Sequence, residues 1–198
     1  MNILATHTLI RRRRASSRCA VFRRPGWLES QSGVTLVELL VTLSIAAVVL
    51  TLAVPNFRDF LLNNRLASQA NEFVLALASA KSEAVKRGVL VTVCSRATDT
   101  SCAGSTTWDA GWIVFVDGGV AGTVDGADEV LQVYSTLAGD NTLRAGARQR
   151  VTFQNTGFSS GFNDTFRLCD ARGTATARNI AVSQQGRVTT TIGTLACP

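Results

Sequence analysis

The first block of the hydrophobic pattern is unbroken: Val34 to Val54 is 21 residues with one ionisable side chain, Glu38. About 20 apolar residues span the hydrocarbon core of a bilayer, so this block predicts a transmembrane helix. Beyond it Pro55 removes a backbone donor and favours a kink rather than a stop. The apolar positions then recur near a period of 3.6 as Phe57, Phe60, Leu61, Ala67, Ala70, Phe73, Val74, Leu77, Ala78, Ala84 and Val85. An amphipathic continuation follows, ending where Lys86 and Arg87 put cations in a last turn and Gly88 supplies a C-cap. The 54 residues from Val34 to Arg87 make a helix of about 80 Å.

After Gly88 the period shortens. The segments 89–94, 111–117, 129–136, 150–154, 165–169, 179–183 and 187–192 are rich in β-branched or aromatic residues and bounded by Gly, Asp, Asn or Ser, which predicts strands. The large apolar residues that alternate along the stretch from Trp108 to Asp117 are expected in the core, facing the helix. A long helix followed by strands predicts an α+β fold in which an antiparallel sheet is laid on the helix. The β-rich part, residues 89–198, is about 110 residues long, enough for one domain.

A carboxylate within an apolar span costs roughly 2.5–3.5 kcal/mol on insertion scales, which makes Glu38 a functional candidate by default. Upstream lie Arg11 to Arg14, Arg18, Arg23 and Arg24. Basic flanks stay cytoplasmic, so the N-terminus is expected inside and residues 89–198 outside. An ordinary secretory signal has a short apolar core of about 7–15 residues and a small-residue cleavage site; this block is longer and continues into helix-forming sequence.

The formal charge of +6 belongs to the leader. Residues 1–33 hold seven of the 20 basic side chains and one of the 14 acids, so the rest of the chain has 13 of each sign and the high pI is no nucleic-acid signal. Within that remainder, residues 91–140 carry Arg96 against seven acids, whereas 141–198 carry seven arginines against Asp164 and Asp170. Such polarity steers association between subunits or attracts a polyanion, and it also fits solvated strand faces.

The basic leader, Gly33 and the run Val34-Thr35-Leu36-Val37-Glu38-Leu39-Leu40-Val41 resemble the class III signal of type IV prepilins and type II secretion pseudopilins. The resemblance implies that a membrane prepilin peptidase cuts after Gly33 and methylates the new amine of Val34, which stands where phenylalanine is usual. It also implies that Glu38 meets the N-terminal amine of a neighbouring subunit during assembly, and a buried carboxylate is tolerable when a cation pairs with it. Later motifs, Trp108-Asp109-Ala110-Gly111-Trp112, Leu168-Cys169-Asp170 and Gln185-Gly186-Arg187-Val188, resemble the GspH/FimT group of minor pilins and pseudopilins. The implied organisation is a removable leader (1–33), a transmembrane half-helix (34–54), an amphipathic half-helix (55–88) and a periplasmic β-rich head (89–198), a pilin-like lollipop. The implied partners are prepilin peptidase, other pilins or pseudopilins and inner-membrane lipid. The implied function is that of a minor subunit initiating or capping a type IV pilus or secretion pseudopilus.

Without Cys19 of the leader, four cysteines remain on the side of the membrane where disulfides persist. Cys94, Cys102, Cys169 and Cys197 allow three pairings. Cys94 with Cys102 suits a clasp around the polar segment 95–101, and Cys169 with Cys197 would then tie the C-terminus to a strand. The rival reading, a zinc site, lacks close ligand spacing, and the single histidine, His7, lies in the leader.

No nucleophile with a partner base can be assembled and no P-loop is present, so neither an enzyme nor a cofactor is expected. Asp117, Asp125, Asp128 and Glu129 gather hard oxygens in one acidic loop, but their spacing differs from an EF-hand and Asp-Gly pairs are ordinary turn residues, so no metal is expected there. An alternative function follows from the resemblance: some FimT-like minor pilins bind DNA through a C-terminal Gly-Arg-x-Arg motif. Here that stretch is Gly186-Arg187-Val188-Thr189, with the second arginine replaced, and Arg178, Arg172, Arg148 and Arg150 are the cations that would complete a phosphate-binding patch.

Overall fold

The structure is a computed structural model that describes residues 33–193 and 195–197; the basic leader, with His7 and Cys19, lies outside the described residues. The described residues fall into two units divided between Ile45 and Ala46, and the long helix α1 (Leu36–Arg87) has residues in both.

In the first unit Thr35 caps α1: its Oγ1 accepts from the amide of Glu38 at 3.2 Å and its carbonyl from Leu39 at 3.1 Å. Threonine is favoured there because it satisfies amides that lack an intrahelical partner. In the second unit the helical hydrogen bonding continues past Pro55, where Asn56 Nδ2 donates to the Leu52 carbonyl at 2.8 Å. The buried stripe starts later than the hydrophobic period predicts. It consists of Leu66, Gln69, Ala70, Phe73, Ala76, Leu77, Ala80 and Ala84, whereas Phe57, Phe60, Leu61 and Val85 are at least half exposed. Spacings alternating between three and four keep such a stripe on one face.

The expected antiparallel sheet is split in two. Strands β1 (Val91–Thr98), β2 (Ser101–Cys102), β3 (Trp112–Val116), β4 (Glu129–Tyr134) and β6 (Arg150–Phe153) form one sheet, in the order β2-β1-β3-β4 with β6 also on β1. Strands β5 (Thr142–Arg144), β7 (Asp164–Cys169), β8 (Arg178–Val182) and β9 (Val188–Ile192) form the other, in the order β5-β7-β8-β9. Every pairing is antiparallel.

Phe73 joins the layers. Its ring meets Trp108 edge-on at 5.6 Å, Trp112 of β3 at 4.9 Å and Phe166 of β7 at 4.8 Å, so one helical side chain touches both sheets. Edge-to-face aromatic pairs add about 0.5–1.5 kcal/mol beyond their burial. Alternation along β3 sends Trp112 and Val114 to the helix and Ile113 and Phe115 to the opposite face, where Cys94, Cys102, Val124 and Val130 cover them. That second cluster explains why β3 is apolar at consecutive positions: both of its faces are buried.

Candidate functional site

Two loci carry the sequence-predicted chemistry, one in each unit. At the N-terminal locus Gly33 is exposed and nothing lies within 4 Å of where its Cβ would stand. Glu38 sits in the first turn of α1, exposed, where the positive end of the helix dipole favours a carboxylate. The helix behind it is long and apolar enough to cross a membrane, with a mean hydropathy of 2.5 over its most apolar 18 residues. Its hydroxyls bond to its own carbonyls: Thr42 to Leu39 at 3.0 Å, Ser44 to Leu40 at 2.8 Å and Thr51 to Val48 at 2.7 Å. A side-chain donor satisfied this way needs no water, which suits a hydrocarbon or helix-bundle setting.

The second locus is the turn that carries Arg187. Gly186 has φ +68°, and a Cβ there would overlap the carbonyl oxygen of Gly157, so the glycine is required both for the left-handed backbone and for the close approach. The Gly186 amide donates to the Ser183 carbonyl at 2.9 Å, the Ser183 amide to the Arg187 carbonyl at 2.9 Å, and the Arg187 amide to Ser183 Oγ at 3.2 Å. From α1, Lys81 Nζ donates to the carbonyls of Gln185 at 3.3 Å and Gly186 at 3.0 Å. Lys81 is a positioning residue that the sequence did not reveal; it lies more than 100 residues from the turn it holds.

The five candidate arginines do not form one patch. Arg187 is exposed beside a polar groove lined by Asn163, Thr165, Ser183 and Thr189. Arg178 pairs with Ile192 at the far end of the same hairpin, about 16 Å away at ~3.3 Å per residue, and its parity places it with Ile180 and Val182, toward the core. Arg150 has its guanidinium carbon 5.4 Å from the centroid of the Phe162 ring. Arg148 is exposed, and its amide donates to Asp164 at 2.7 Å.

Arg172 is an internal brace. Its Nε and Nη2 donate to Asp170 Oδ2 at 2.9 and 2.7 Å, and Nη2 also donates to Asn63 of α1 at 3.0 Å. Burial pushes the Asp170 carboxyl up, but bonds from the Arg172 side chain and amide and from the Thr176 hydroxyl outweigh it and hold the group below its ordinary range. The Leu168-Cys169-Asp170 motif therefore ends in a carboxylate that ties the second sheet to the helix.

The cysteines are joined as Cys94–Cys102 and Cys169–Cys197. The first closes the β1–β2 hairpin rather than a loop, because β1 continues to Thr98. In the acidic loop the carboxylates serve the backbone. Asp117 accepts from Thr92 Oγ1 at 2.6 Å and Gly122 N at 2.8 Å, Asp125 from Val120 and Ala127, and Asp128 from Gly118, Gly119 and Asp125. These amide bonds hold Asp125 below the usual carboxylate range. Among the described residues no three His, Cys, Asp or Glu side chains gather for a metal.

Residues 69–186 match the family of the type II transport protein GspH, and residues 29–54 match the prokaryotic N-terminal methylation motif. No curated protein matches the chain. Among solved structures, the type IV minor pilin FimU of Pseudomonas aeruginosa has the same fold in two crystal forms. One is 22% identical with a TM-score of 0.54, covering 67% of this chain and 100% of that one; the other is 23% identical with a TM-score of 0.56, covering 70% and 99%. The family match spans more than half of the chain and lies C-terminal to a methylation motif, on a helix packed against antiparallel sheets: the chain belongs to the GspH/FimT family of type IV pilin-like proteins.

Proposed function

We propose that this protein is a minor pilin or pseudopilin that prepilin peptidase cleaves after Gly33 and methylates at Val34. Residues 34–54 then hold it in the inner membrane, with its N-terminus cytoplasmic and its head periplasmic, until it enters a type IV pilus or secretion pseudopilus, initiating the fibre or capping its tip. The observation that carries this reading is the apolar span whose one ionisable side chain, Glu38, stands five residues beyond Gly33. In the fibre Glu38 accepts the methylated amine of an adjacent subunit, and that cation offsets the cost of a carboxylate among apolar helices.

The test is Glu38→Ala in cells that carry the assembly machinery. Cleavage after Gly33 is expected to proceed, while the chain is lost from sheared fibres or from the assembled pseudopilus. Equal incorporation of the Glu38→Ala chain would sink the pairing role. DNA capture through the C-terminal arginines draws support from the exposed Arg187 and from Arg148, whose amide is held by Asp164 of the same groove, but not from Arg172, which is engaged within the head. We therefore rank it second, and failure of the protein to retain DNA at low salt, where backbone contacts are strongest, ends it.

A further inference from the structure

Open sheet edges are normally blunted by charge, proline, bulges, shortness or a covering segment. Most edges in this head are treated that way. β2 has two residues, and the ladder of β4 is irregular and begins at Glu129, which receives Arg87 at 2.6 Å. β5 has three residues and is covered by the segment carrying Thr106 and Trp108, while β6 opens on Arg150. β9 has none of these devices. It is Val-Thr-Thr-Thr-Ile, five consecutive β-branched residues in unbroken register with β8, exposed at all but its first position.

An antiparallel strand turns alternate residues toward its neighbour. The bonds from Ser183 N to Arg187 O and from Gly193 N to Ala177 O assign positions 187, 189, 191 and 193 to β8. The amides and carbonyls of Val188, Thr190 and Ile192 therefore face away from the sheet, along an edge of about 16 Å. At its start stands exposed Arg187, which has no carboxylate partner among the described residues. Asp164, which lines the same groove, already accepts from the amides of Ala147, Arg148 and Thr165.

We propose that β9 is a docking edge for an extended segment of a different pilin-family subunit, which adds to the second sheet as a fifth strand and brings an acidic side chain to Arg187. The inference rests on the reading that the chain assembles with other pilins. Main-chain pairing at a free edge supplies affinity, and the charge supplies register. A second copy is the poorer occupant: the ladder of its β4 is irregular, and its own β9, with residues 187–193 free of acids, brings no carboxylate to Arg187.

The test places a photo-cross-linking amino acid at Ile192, which is 61% exposed, in the full chain in its own cells. A cross-link to another pilin-family subunit is expected, weakened about tenfold by Thr190→Pro, which removes an outward amide and leaves the β8 ladder intact. Thr190→Val keeps the amide and should behave as wild type. Arg187→Glu, a surface change, keeps the test open where Thr190→Pro fails to fold; it should weaken the link, with rescue by an acid-to-lysine change in the partner. Links unchanged in both variants, links only to a second copy or to nucleic acid, or no link from a chain that is recovered in fibres, each overturn the docking edge alone. Absence of the wild-type chain from fibres overturns the assembly reading, and this inference with it.

Discussion

Replacing Arg172 with alanine removes a guanidinium whose loss affects stability rather than binding. Arg172 is 20% exposed and the Asp170 side chain 3%, so their pair is largely shielded from water. A hydrogen bond to a charged group contributes about 1.5–3 kcal/mol. Asp170 keeps the Arg172 amide at 3.0 Å and the Thr176 hydroxyl at 3.1 Å, and the 3.5 Å contact to Asp59, whose side chain is 62% exposed, adds little. A net loss of about 2 kcal/mol follows, or roughly 4–8 °C in Tm for a domain of this size. The assay is a thermal melt of the full chain in detergent, followed by tryptophan fluorescence. The pH dependence has a defined sign. Because the Asp170 pKa is lowered from its ordinary 3.8, the contribution of the pair is fully present above that value and is lost as pH falls through the folded value. The gap between wild type and Arg172→Ala should hold at neutral pH and close in acid below the ordinary Asp range. A neutral-pH melt unchanged within about one degree would refute the reasoning, and so would a gap that widens in acid.

Gly111→Ala tests the tryptophan motif: Gly111 has φ +101°, and a Cβ there would overlap the Tyr134 carbonyl oxygen and stand 2.7 Å from that of Ser135. The left-handed backbone alone costs about 1–2 kcal/mol and the displaced β4 backbone adds more, so limited proteolysis should find the head unfolded or strongly destabilised. Of the two disulfides, Cys169–Cys197 closes the longer segment, 28 residues against 8 for Cys94–Cys102. On chain entropy its removal by Cys→Ser pairs costs about 3–4 kcal/mol against about 2–3 for the other, an order that denaturant melts read directly.

Local chemistry was legible in the sequence where the periods were strong. The helix end at Arg87 and the seven longer strands follow from spacing and turn residues, and the structure moves strand boundaries by no more than four residues. β2 and β5, at two and three residues, are too short to show a period. Phe57, Phe60 and Leu61 fit the helical repeat yet stay exposed, because a repeat marks a face and not whether the head reaches it. Gly186 before Arg187 marked a turn, but the requirement for glycine comes from the Gly157 carbonyl, a contact made only by folding. The arginines show the same limit. Charge counting groups Arg172 with Arg187, whereas pairing places one against Asp170 and the other in solvent.

The central claim, that this is a processed filament subunit, is tested most directly by the intact mass and N-terminal sequence of the membrane-extracted protein, with and without active prepilin peptidase. The account predicts a chain beginning at N-methylated Val34 only when the peptidase is active. A chain that retains residues 1–33 in the presence of active peptidase, or one cut elsewhere, would contradict it.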